Sequence, residues 1–533
     1  MKRCVISLSC NLVLVFILTF VGDVVADSPK HGGVLEFVVG SKVTSYDGHS
    51  ESTFGMLHPI RPFYSVLIRV DPEDPQSTTR FVCDLCIGGI PEPEDGGKRY
   101  TFKIRRGVKF HDGTPLTSAD LKASFEKIVF PPPGIRSVRK ARFSMVRSIE
   151  ATSPATLTFN LKYASGAFLP TLAIPFNFIY SKKDLDTHGY RWHETNVNGT
   201  GPFEFVQHQA GAFLEGRRNP DYYHSGRPYL DGFKAISAPK MSTRLQAIRG
   251  GRAAIEFRGF APQARDDLLG ALGERITVQQ SDWNCALLFT PNHRVKPFDD
   301  PRVRRALTLA LDRRLGSTHL SRIAIVKTVG GIVYPNHPLA ASPEELATIA
   351  GYGDDIEQSR SLARQLLADS GHSGLTFVLH NRAVDQPYKV VGTWLIDQWS
   401  RIGVAAEQHA KPSGPFFQTL FKKRDFEVTI DFSCGSVVNP IADVSKYISE
   451  SNFGGYEDPV LDDIFKRLQR ATAPREQQAL MRQFERRVLD DAAHSFVTLW
   501  WHRIALHHTY VKGWMISPSH YLNQALDNVW LDR

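Results

Sequence analysis

The sequence predicts an α/β protein built from several structural units, and three observations lead to this prediction. The chain has 533 residues, which is more than one hydrophobic core usually supports. Strand and helix patterns are mixed along its length, and residues 375–410 have the strand–helix–strand order of a βαβ unit. The first 26 residues have the layout of a secretory signal, so the folded part is expected to be an exported chain.

The amino terminus has the three parts of a signal peptide. Two basic residues precede the apolar stretch 12–21, and Val24 and Ala26 occupy the small-residue positions of a cleavage site. The apolar stretch is too short to span a membrane. We therefore expect residues 1–26 to be removed and the mature chain to be a soluble, exported protein.

Composition and charge favour a folded globular protein without a nucleic-acid partner. Hydrophobic residues make up 42% of the chain and charged residues 22%. The formal net charge is +9, and the basic residues are spread along the chain. The densest run, residues 136–147, is interpreted as a solvated face, since no zinc-finger or RNP motif accompanies it.

Four cysteines follow the predicted cleavage site. Cys83 and Cys86 form a C-x-x-C, for which a local disulfide is the leading interpretation in an oxidising compartment. A zinc site lacks a second ligand pair at finger spacing, and a redox motif lacks the strand-to-helix junction it needs. Cys285 and Cys434 lie in apolar, strand-like stretches and are interpreted as buried.

The segment GVKFHDGTPLTSADL, residues 107–121, pairs a histidine with an aspartate and so raises the question of an active site. Local structure explains it fully. Asp112-Gly113 is a turn signal after an alternating strand, and Thr117 with Asp120 at the third helical position predicts a capping box. His111 has no visible catalytic partner, so an enzyme is not favoured.

The second half of the chain carries clear helix and strand signals. Asp300 is placed as a helix N-cap and Pro301 as the first helical residue. A stripe of apolar residues on one face of that helix follows at Val303, Ala306, Leu307, Ala310 and Leu311. Another amphipathic helix is predicted over 475–491, followed by a strand over 496–501.

Several segments, in order, resemble the family 5 extracellular solute-binding proteins, the oligopeptide, dipeptide and nickel receptors of ABC importers. The longest is YTFKIRRGVKFHDGTPLTSADLKASFEKI, residues 100–128. The others are NGTGPFEF (198–205), NPDYY (219–223), FDDPRVRRALTLALDR (298–313) and SNFGGYEDPVLDDIF (451–465). The resemblance covers essentially the whole mature chain.

This resemblance implies a class C periplasmic-binding fold, in which two α/β lobes joined by a hinge close on a ligand. Carried onto this chain, it implies three units: lobe I (27–63, 199–283 and 505–533), an extra subdomain of lobe I (64–198) and lobe II (284–504). The implied partners are a peptide or small-molecule ligand and ABC permease subunits in the inner membrane. We expect a monomer that has no cofactor and no direct metal site.

Two stretches are candidate pocket segments by their place in the family pattern. The first, residues 43–54, offers Tyr46, Asp47 and His49, with an ordinary polar loop as the alternative. The second, residues 281–290, is expected to enter the crossing between the lobes. It offers Trp283, Asn284 and Cys285, where Trp283 either stacks on a ligand or packs in the hinge core.

Charged and amide groups complete the candidates. Peptide-binding members typically have an Asp-Pro whose carboxylate captures the ligand ammonium, whereas this chain has Asn439-Pro440. A neutral amide is a weaker partner for an ammonium, so ordinary peptides are in doubt, although Asp431 could compensate. Arg258 and Arg382 could each hold a carboxylate with two hydrogen bonds, the alternative being a solvated surface position.

Two other functional classes stay open. An exported enzyme is disfavoured because the chain has no G-x-S-x-G, no H-E-x-x-H and no P-loop. A receptor of the same family could also serve as a chaperone or sensor, which the sequence does not distinguish from transport.

Overall fold

A computed structural model describes residues 28–533, so the predicted signal peptide, residues 1–26, lies outside the described residues. Strands occur throughout the described part of the chain. Their bounds, in chain order, are β1 (Val34–Val39), β2 (Ile68–Val70), β3 (Phe81–Cys83), β4 (Cys86–Ile87), β5 (Arg99–Ile104), β6 (Val146–Ser153), β7 (Thr156–Leu161), β8 (Phe203–Gln209), β9 (Phe213–Arg218), β10 (Gly232–Ser237), β11 (Ile255–Glu256), β12 (Ile276–Pro291), β13 (Val326–Thr328), β14 (Thr376–Arg382), β15 (Ala405–Lys411), β16 (Val428–Cys434), β17 (Phe496–His508), β18 (Val511–Lys512) and β19 (Trp530–Leu531).

Helices are interspersed with these strands. Their bounds are α1 (Phe54–Ile60), α2 (Ser118–Val129), α3 (Phe168–Leu172), α4 (Lys182–His188), α5 (Met241–Arg249), α6 (Pro262–Leu272), α7 (Pro301–Leu309), α8 (Arg313–Ile323), α9 (Pro343–Ala347), α10 (Ile356–Asp369), α11 (Val390–Ser400), α12 (Ser413–Gln418), α13 (Pro440–Asp443), α14 (Pro459–Arg470) and α15 (Pro474–Arg486). Over residues 28–533, every helix is too short or too polar to traverse a lipid bilayer.

The main sheet has eleven strands in the order β15-β14-β16-β12-β17-β11-β1-β10-β9-β8, with β13 paired to β17. Near one end β1 lies parallel to β10 and β11, and at the other end β14 lies parallel to β15 and β16. The long strands β12 and β17, of 16 and 13 residues, run antiparallel between these two groups. Two α/β lobes are thus joined through two crossing strands.

The local signals of the second lobe are confirmed. The Asp300 side chain accepts a hydrogen bond from the Arg302 backbone N–H, and Pro301 is the first residue of α7. All five apolar residues predicted on one helix face are buried: Val303, Ala306, Leu307, Ala310 and Leu311. The predicted βαβ unit is β14-α11-β15, whose two strands are parallel.

A smaller antiparallel sheet, β4-β5-β7-β6, packs with α2 in a hydrophobic cluster that also includes residues from the second half of the chain, such as Leu288 and Trp500. The capping box of α2 is confirmed, because the Thr117 hydroxyl accepts from the backbone of the first turn and the Asp120 carboxylate accepts the Thr117 N–H at 2.7 Å. The predicted turn is closed by the Gly113 N–H, which donates to the Phe110 carbonyl at 2.8 Å. His111 contacts the Gly201 carbonyl at 3.1 Å, so a structural contact accounts for it.

Both pairs of cysteines form disulfides. The Cys83–Cys86 bridge confirms the local disulfide favoured for the C-x-x-C. Cys285 and Cys434 lie opposite each other on β12 and β16 and are also bonded. The expectation that both are buried holds for Cys285 alone, because Cys434 lies at the exposed end of β16.

Candidate functional site

The candidate site lies where the crossing strands change partners. β12 pairs with β17 up to Asp282, and the register then shifts before pairing resumes at Ala286. From Cys285 onward β12 also pairs with β16. Trp283 lies within this irregular step and is only 3% exposed. In a fold with two lobes, the crossing between them borders the natural ligand cleft.

Trp283 packs against two aromatic rings from the C-terminal part of the chain, those of Trp501 and His520. Its indole lies edge-on to the Trp501 ring at 5.3 Å and to the His520 ring at 5.2 Å between centroids. Its Nε1–H donates to Nδ1 of His520 at 3.1 Å. Trp283 therefore has a packing role and a hydrogen bond in addition to its place at the lobe crossing.

The protonation of His520 follows from this bond. An indole nitrogen only donates, so Nδ1 of His520 must accept, and the neutral ring has its proton on Nε2. Burial, with the nearby charge of Arg258 acting in the same direction, holds the pKa of His520 well below its usual value, so the ring is neutral. Within residues 28–533 its buried Nε2 has no hydrogen-bond partner.

Arg258 lies beside the same rings. Its guanidinium carbon is 5.1 Å from the centre of the Phe54 ring and 5.4 Å from that of Trp283. Its Nε is buried without a hydrogen-bond partner, and the guanidinium forms no ion pair with any residue in the described range 28–533. Burial lowers the pKa of Arg258, and the carboxylate of Glu256 only partly opposes this.

Arg382, at the end of β14, is connected to the same cluster through Tyr388. Its guanidinium lies 5.3 Å from the Tyr388 ring and 5.0 Å from the Phe417 ring, and its Nε donates to the Ser413 hydroxyl at 2.7 Å. Tyr388 also lies edge-on to Trp501 at 6.0 Å. Aromatic rings thus connect Arg382 to Trp283 and Arg258.

The loop 43–54 has its charged groups engaged inside the protein. The Asp47 carboxylate pairs with Lys127 at 3.0 Å and accepts from the Tyr180 hydroxyl at 2.8 Å. The fully buried His49 contacts the Phe178 carbonyl at 2.8 Å through Nε2. The Tyr46 hydroxyl lies 2.7 Å from Nδ1 of His208. These contacts hold the loop against the extra subdomain and the first lobe.

The candidates on β12 and β16 are also engaged. The Asn284 side chain donates to the Val437 carbonyl at 3.1 Å, and Cys285 is in its disulfide. The Asp431 carboxylate pairs with Lys446 at 3.1 Å and accepts from the Thr290 hydroxyl at 2.9 Å.

Asn439 joins the second lobe to the extra subdomain. Its side-chain oxygen caps α13 by accepting the Ala442 N–H. Its side-chain nitrogen donates to the Ala167 carbonyl at 3.2 Å and to the Thr171 hydroxyl at 3.0 Å. Both ends of the amide are therefore in use, and the residue is 3% exposed.

With this geometry established, comparison with known families is informative. Residues 87–455 match the model of the bacterial extracellular solute-binding proteins, family 5 middle region, which is more than half of the chain. The chain belongs to this family. It is therefore a solute-binding protein of the kind that serves ABC importers.

Curated and solved relatives agree with this assignment. The glutathione-binding protein GsiB of Escherichia coli (strain K12) is 26% identical over 379 residues, covering 70% of this chain and 69% of GsiB. Helicobacter pylori DppA in complex with the peptide STSA has a TM-score of 0.77 at 20% identity, covering 95% of this chain and 99% of that one. AgaA from A. tumefacien R10, in complex with agropinic acid, has a TM-score of 0.75 at 20% identity, covering 94% and 99%.

Within this solute-binding protein, the structure brings Arg258 and Trp283 together with four rings whose proximity no sequence pattern predicted. Phe54, Tyr388, Trp501 and His520 are far apart in the chain, and only Phe54 lies in a predicted pocket segment. The fold brings them together from α1, the segment before α11, β17 and the loop before β19. Over residues 28–533, no group of three or more His, Cys, Asp or Glu side chains is arranged to hold a metal ion.

Proposed function

We propose that this solute-binding protein captures a peptide-like or other polar organic solute between its lobes and delivers it to the permease of an ABC importer. The cluster of Arg258, Trp283 and Tyr388 carries the proposal. It contains side chains from both lobes and lies at the strand crossing, where lobe closure can both bury a ligand and sense it.

We also propose how the chain divides into lobes and where the protein acts. We assign lobe I to 27–63, 199–283 and 505–533, its extra subdomain to 64–198 and lobe II to 284–504. The register shift of β12 at Asp282–Ala286 supports the boundary at 283. The mature chain is a monomer in the periplasm, and its closed form docks on permease subunits in the inner membrane.

A thermal-shift screen of the mature chain tests the receptor function. The protein is unfolded and refolded to remove bound solute and is then mixed with di- to octapeptides, glutathione, opines, amino sugars and oligosaccharides. A solute that binds only the native state raises the melting temperature, and the shift grows with the logarithm of one plus its concentration divided by Kd. We expect at least one solute class to do so, and no shift across the panel would contradict the proposal.

Two other functions predict different results. A chaperone would delay the aggregation of an unfolded client protein and would show no saturable small-solute shift. An enzyme would convert a solute that shifts the melting temperature, so mass spectrometry of the recovered solute distinguishes it from a receptor, which returns the solute unchanged.

A further inference from the structure

We infer that Arg258 and Nε2–H of His520 form a subsite for a carboxylate of the ligand, so that this receptor selects acidic solutes. The inference rests on the proposed function, since it concerns the same cleft. It adds to that proposal which chemical group of the solute the cleft binds and which residues bind it.

The first observation is a pair of unmatched donors beside each other. Arg258 and His520 both contact the Phe54 and Trp283 rings. Each presents a buried N–H, Nε of Arg258 and Nε2 of His520, that has no acceptor among residues 28–533. A buried donor without an acceptor destabilises the folded protein. An anionic acceptor supplied by the ligand would satisfy both donors.

The second observation is an excess of positive charge. In the described part of the chain, the guanidinium groups of Arg244, Arg258 and Arg503 surround the single carboxylate of Glu256. Arg244 and Arg503 are held by backbone carbonyls, including Ala238 for Arg244 at 3.0 Å and Ser517 for Arg503 at 2.9 Å.

Glu256 itself is occupied. It accepts the Gly259 N–H at 2.6 Å, and its nearest ion-pair contact is Arg244 at 3.9 Å. Arg258 is thus the cation of this group without a bonded partner in residues 28–533, and a ligand anion would balance it.

The third observation is that the two candidate acids predicted from the sequence are already paired with lysines. Among the candidate acids, Asp47 pairs with Lys127 and Asp431 with Lys446. The amide of Asn439 is also in use. A solute anchored by its ammonium would find no matched partner in these groups, whereas a solute anchored by its carboxylate finds two donors.

The rings of Phe54 and Trp283 lie beside the guanidinium that would bind the carboxylate. Their centres are 5.1 Å and 5.4 Å from the central carbon of the Arg258 guanidinium, and the rings restrict its movement. A planar fork matches a carboxylate with two hydrogen bonds, which a lysine ammonium cannot do. Arginine rather than positive charge alone is therefore required.

Matched acid and amide probes test the subsite. Succinate is compared with succinamide, benzoate with benzamide, and glutathione with its diamide, at equal ionic strength in sodium chloride, by thermal shift of the refolded mature chain. The proteins are the natural sequence, Arg258→Met, Arg258→Lys, His520→Phe and the surface control Arg475→Met, a change at an exposed residue.

We expect the acids to raise the melting temperature of the natural sequence more than the amides do. Arg258→Met should weaken acid binding at least about 100-fold and His520→Phe about 10- to 100-fold. Arg475→Met should leave it unchanged. The subsite would be overturned if the acids raised the melting temperature no more than the amides did. It would also be overturned if they raised that of Arg258→Met as much as that of the natural sequence. Arg258→Lys, which keeps the charge, provides the same test if Arg258→Met does not fold.

The two proposals fail in different ways. If solutes bind saturably but acids bind no better than their amides, and Arg258→Met binds the acids as well as the natural sequence does, the receptor function stands and the carboxylate subsite is wrong. If succinate or benzoate binds through Arg258 but the solute panel gives no further hit and the protein protects unfolded clients, the subsite stands and the transport function is wrong.

Discussion

Asp47 and Arg258 are both charges within the protein, and they differ in what balances them. The Asp47 carboxylate has Lys127 at 3.0 Å and the Tyr180 hydroxyl at 2.8 Å. Arg258 has aromatic rings on two sides and no carboxylate bonded to it within residues 28–533. The first environment stabilises the fold, and the second leaves a charge that a ligand can use.

Acidification should remove the stability that the ionised Asp47 side chain contributes to the fold. Burial opposes its ionisation, but the charge and hydrogen bond of Lys127 outweigh it and lower the pKa of Asp47 from 3.8 to about 2. A lowered pKa stabilises the fold at pH above about 4, and this stabilisation, about 2 kcal/mol, is lost as the pH falls toward 2. Burial also lowers the pKa of Lys127, which offsets part of the gain.

We therefore expect the melting temperature of the natural sequence to fall more steeply between pH 4 and pH 2 than that of the double variant Asp47→Asn, Lys127→Met. Melting curves recorded by circular dichroism across this range measure both slopes. The single variant Asp47→Asn is the control, because it leaves Lys127 buried and unpaired and should lower the melting temperature at neutral pH. Equal slopes would show that the protonation of another group dominates the loss of stability in acid.

Trp283 should contribute to stability and binding together. Its side chain is 3% exposed, and its indole donates to His520. Trp283→Ala is expected to lower the free energy of unfolding by about 3–5 kcal/mol and to weaken ligand binding. Urea denaturation measures the first effect and thermal shift with a bound solute the second. Trp283→Phe keeps most of the packing and loses the hydrogen bond, so it separates the two contributions.

The sequence predicted those residue roles that depend on near neighbours. The caps at Thr117 and Asp300 involve partners within three residues, and both are confirmed. The partner of Asp47 is 80 residues away and that of Asn439 is 268 residues away, so no local pattern could identify either. Arg258 was a candidate by residue type alone, and its lack of a partner is visible only in three dimensions.

At the scale of elements, the capping box of α2 is the clearest case of a local signal with a measurable effect. Thr117→Ala removes the hydroxyl that accepts from the first turn of the helix. We expect the free energy of unfolding to fall by about 1 kcal/mol. Urea denaturation followed by tryptophan fluorescence measures this change. Thr117→Ser keeps the acceptor and should behave like the natural sequence, whereas a loss as large as that of the alanine variant would contradict the role of the cap.

Strand lengths were harder to predict than strand positions. The predicted strand over 496–501 is the start of β17, which continues to His508, and β12 covers 16 residues. Long strands that cross between lobes are buried on both faces in their middle, so their apolar runs lack the alternation that marks the end of a half-buried strand. The Cys285–Cys434 bond was not predicted because it depends on the register of β12 against β16.

At the scale of the whole molecule, Asn439 connects α13 to α3, two helices that are far apart in the chain. It donates to Ala167 and Thr171, and Arg142 pairs with Asp443 nearby at 3.2 Å. A two-lobed receptor binds its ligand more tightly when the closed state is favoured. These contacts are therefore expected to contribute to affinity without touching the ligand.

Asn439→Ala should weaken solute binding about 10-fold and increase the radius of gyration of the solute-free protein, because closure loses its hydrogen bonds. Thermal shift and small-angle X-ray scattering measure these two quantities. Ser445→Ala is the matched control, since the Ser445 hydroxyl donates within its own turn, to Ala442 at 2.7 Å. An unchanged radius with weakened binding would instead indicate that Asn439 contacts the solute directly.

The path of the main sheet also sets the order in which the protein can be completed. β1 lies between β10 and β11, and β11 pairs in turn with His507 on β17, so the strand nearest the amino terminus is enclosed by segments made much later. Pairings over such separations form slowly. Until residue 507 has emerged from the ribosome, the chain lacks the partner of β11 and one of the two strands that join its lobes, so the main sheet is completed only near the end of synthesis.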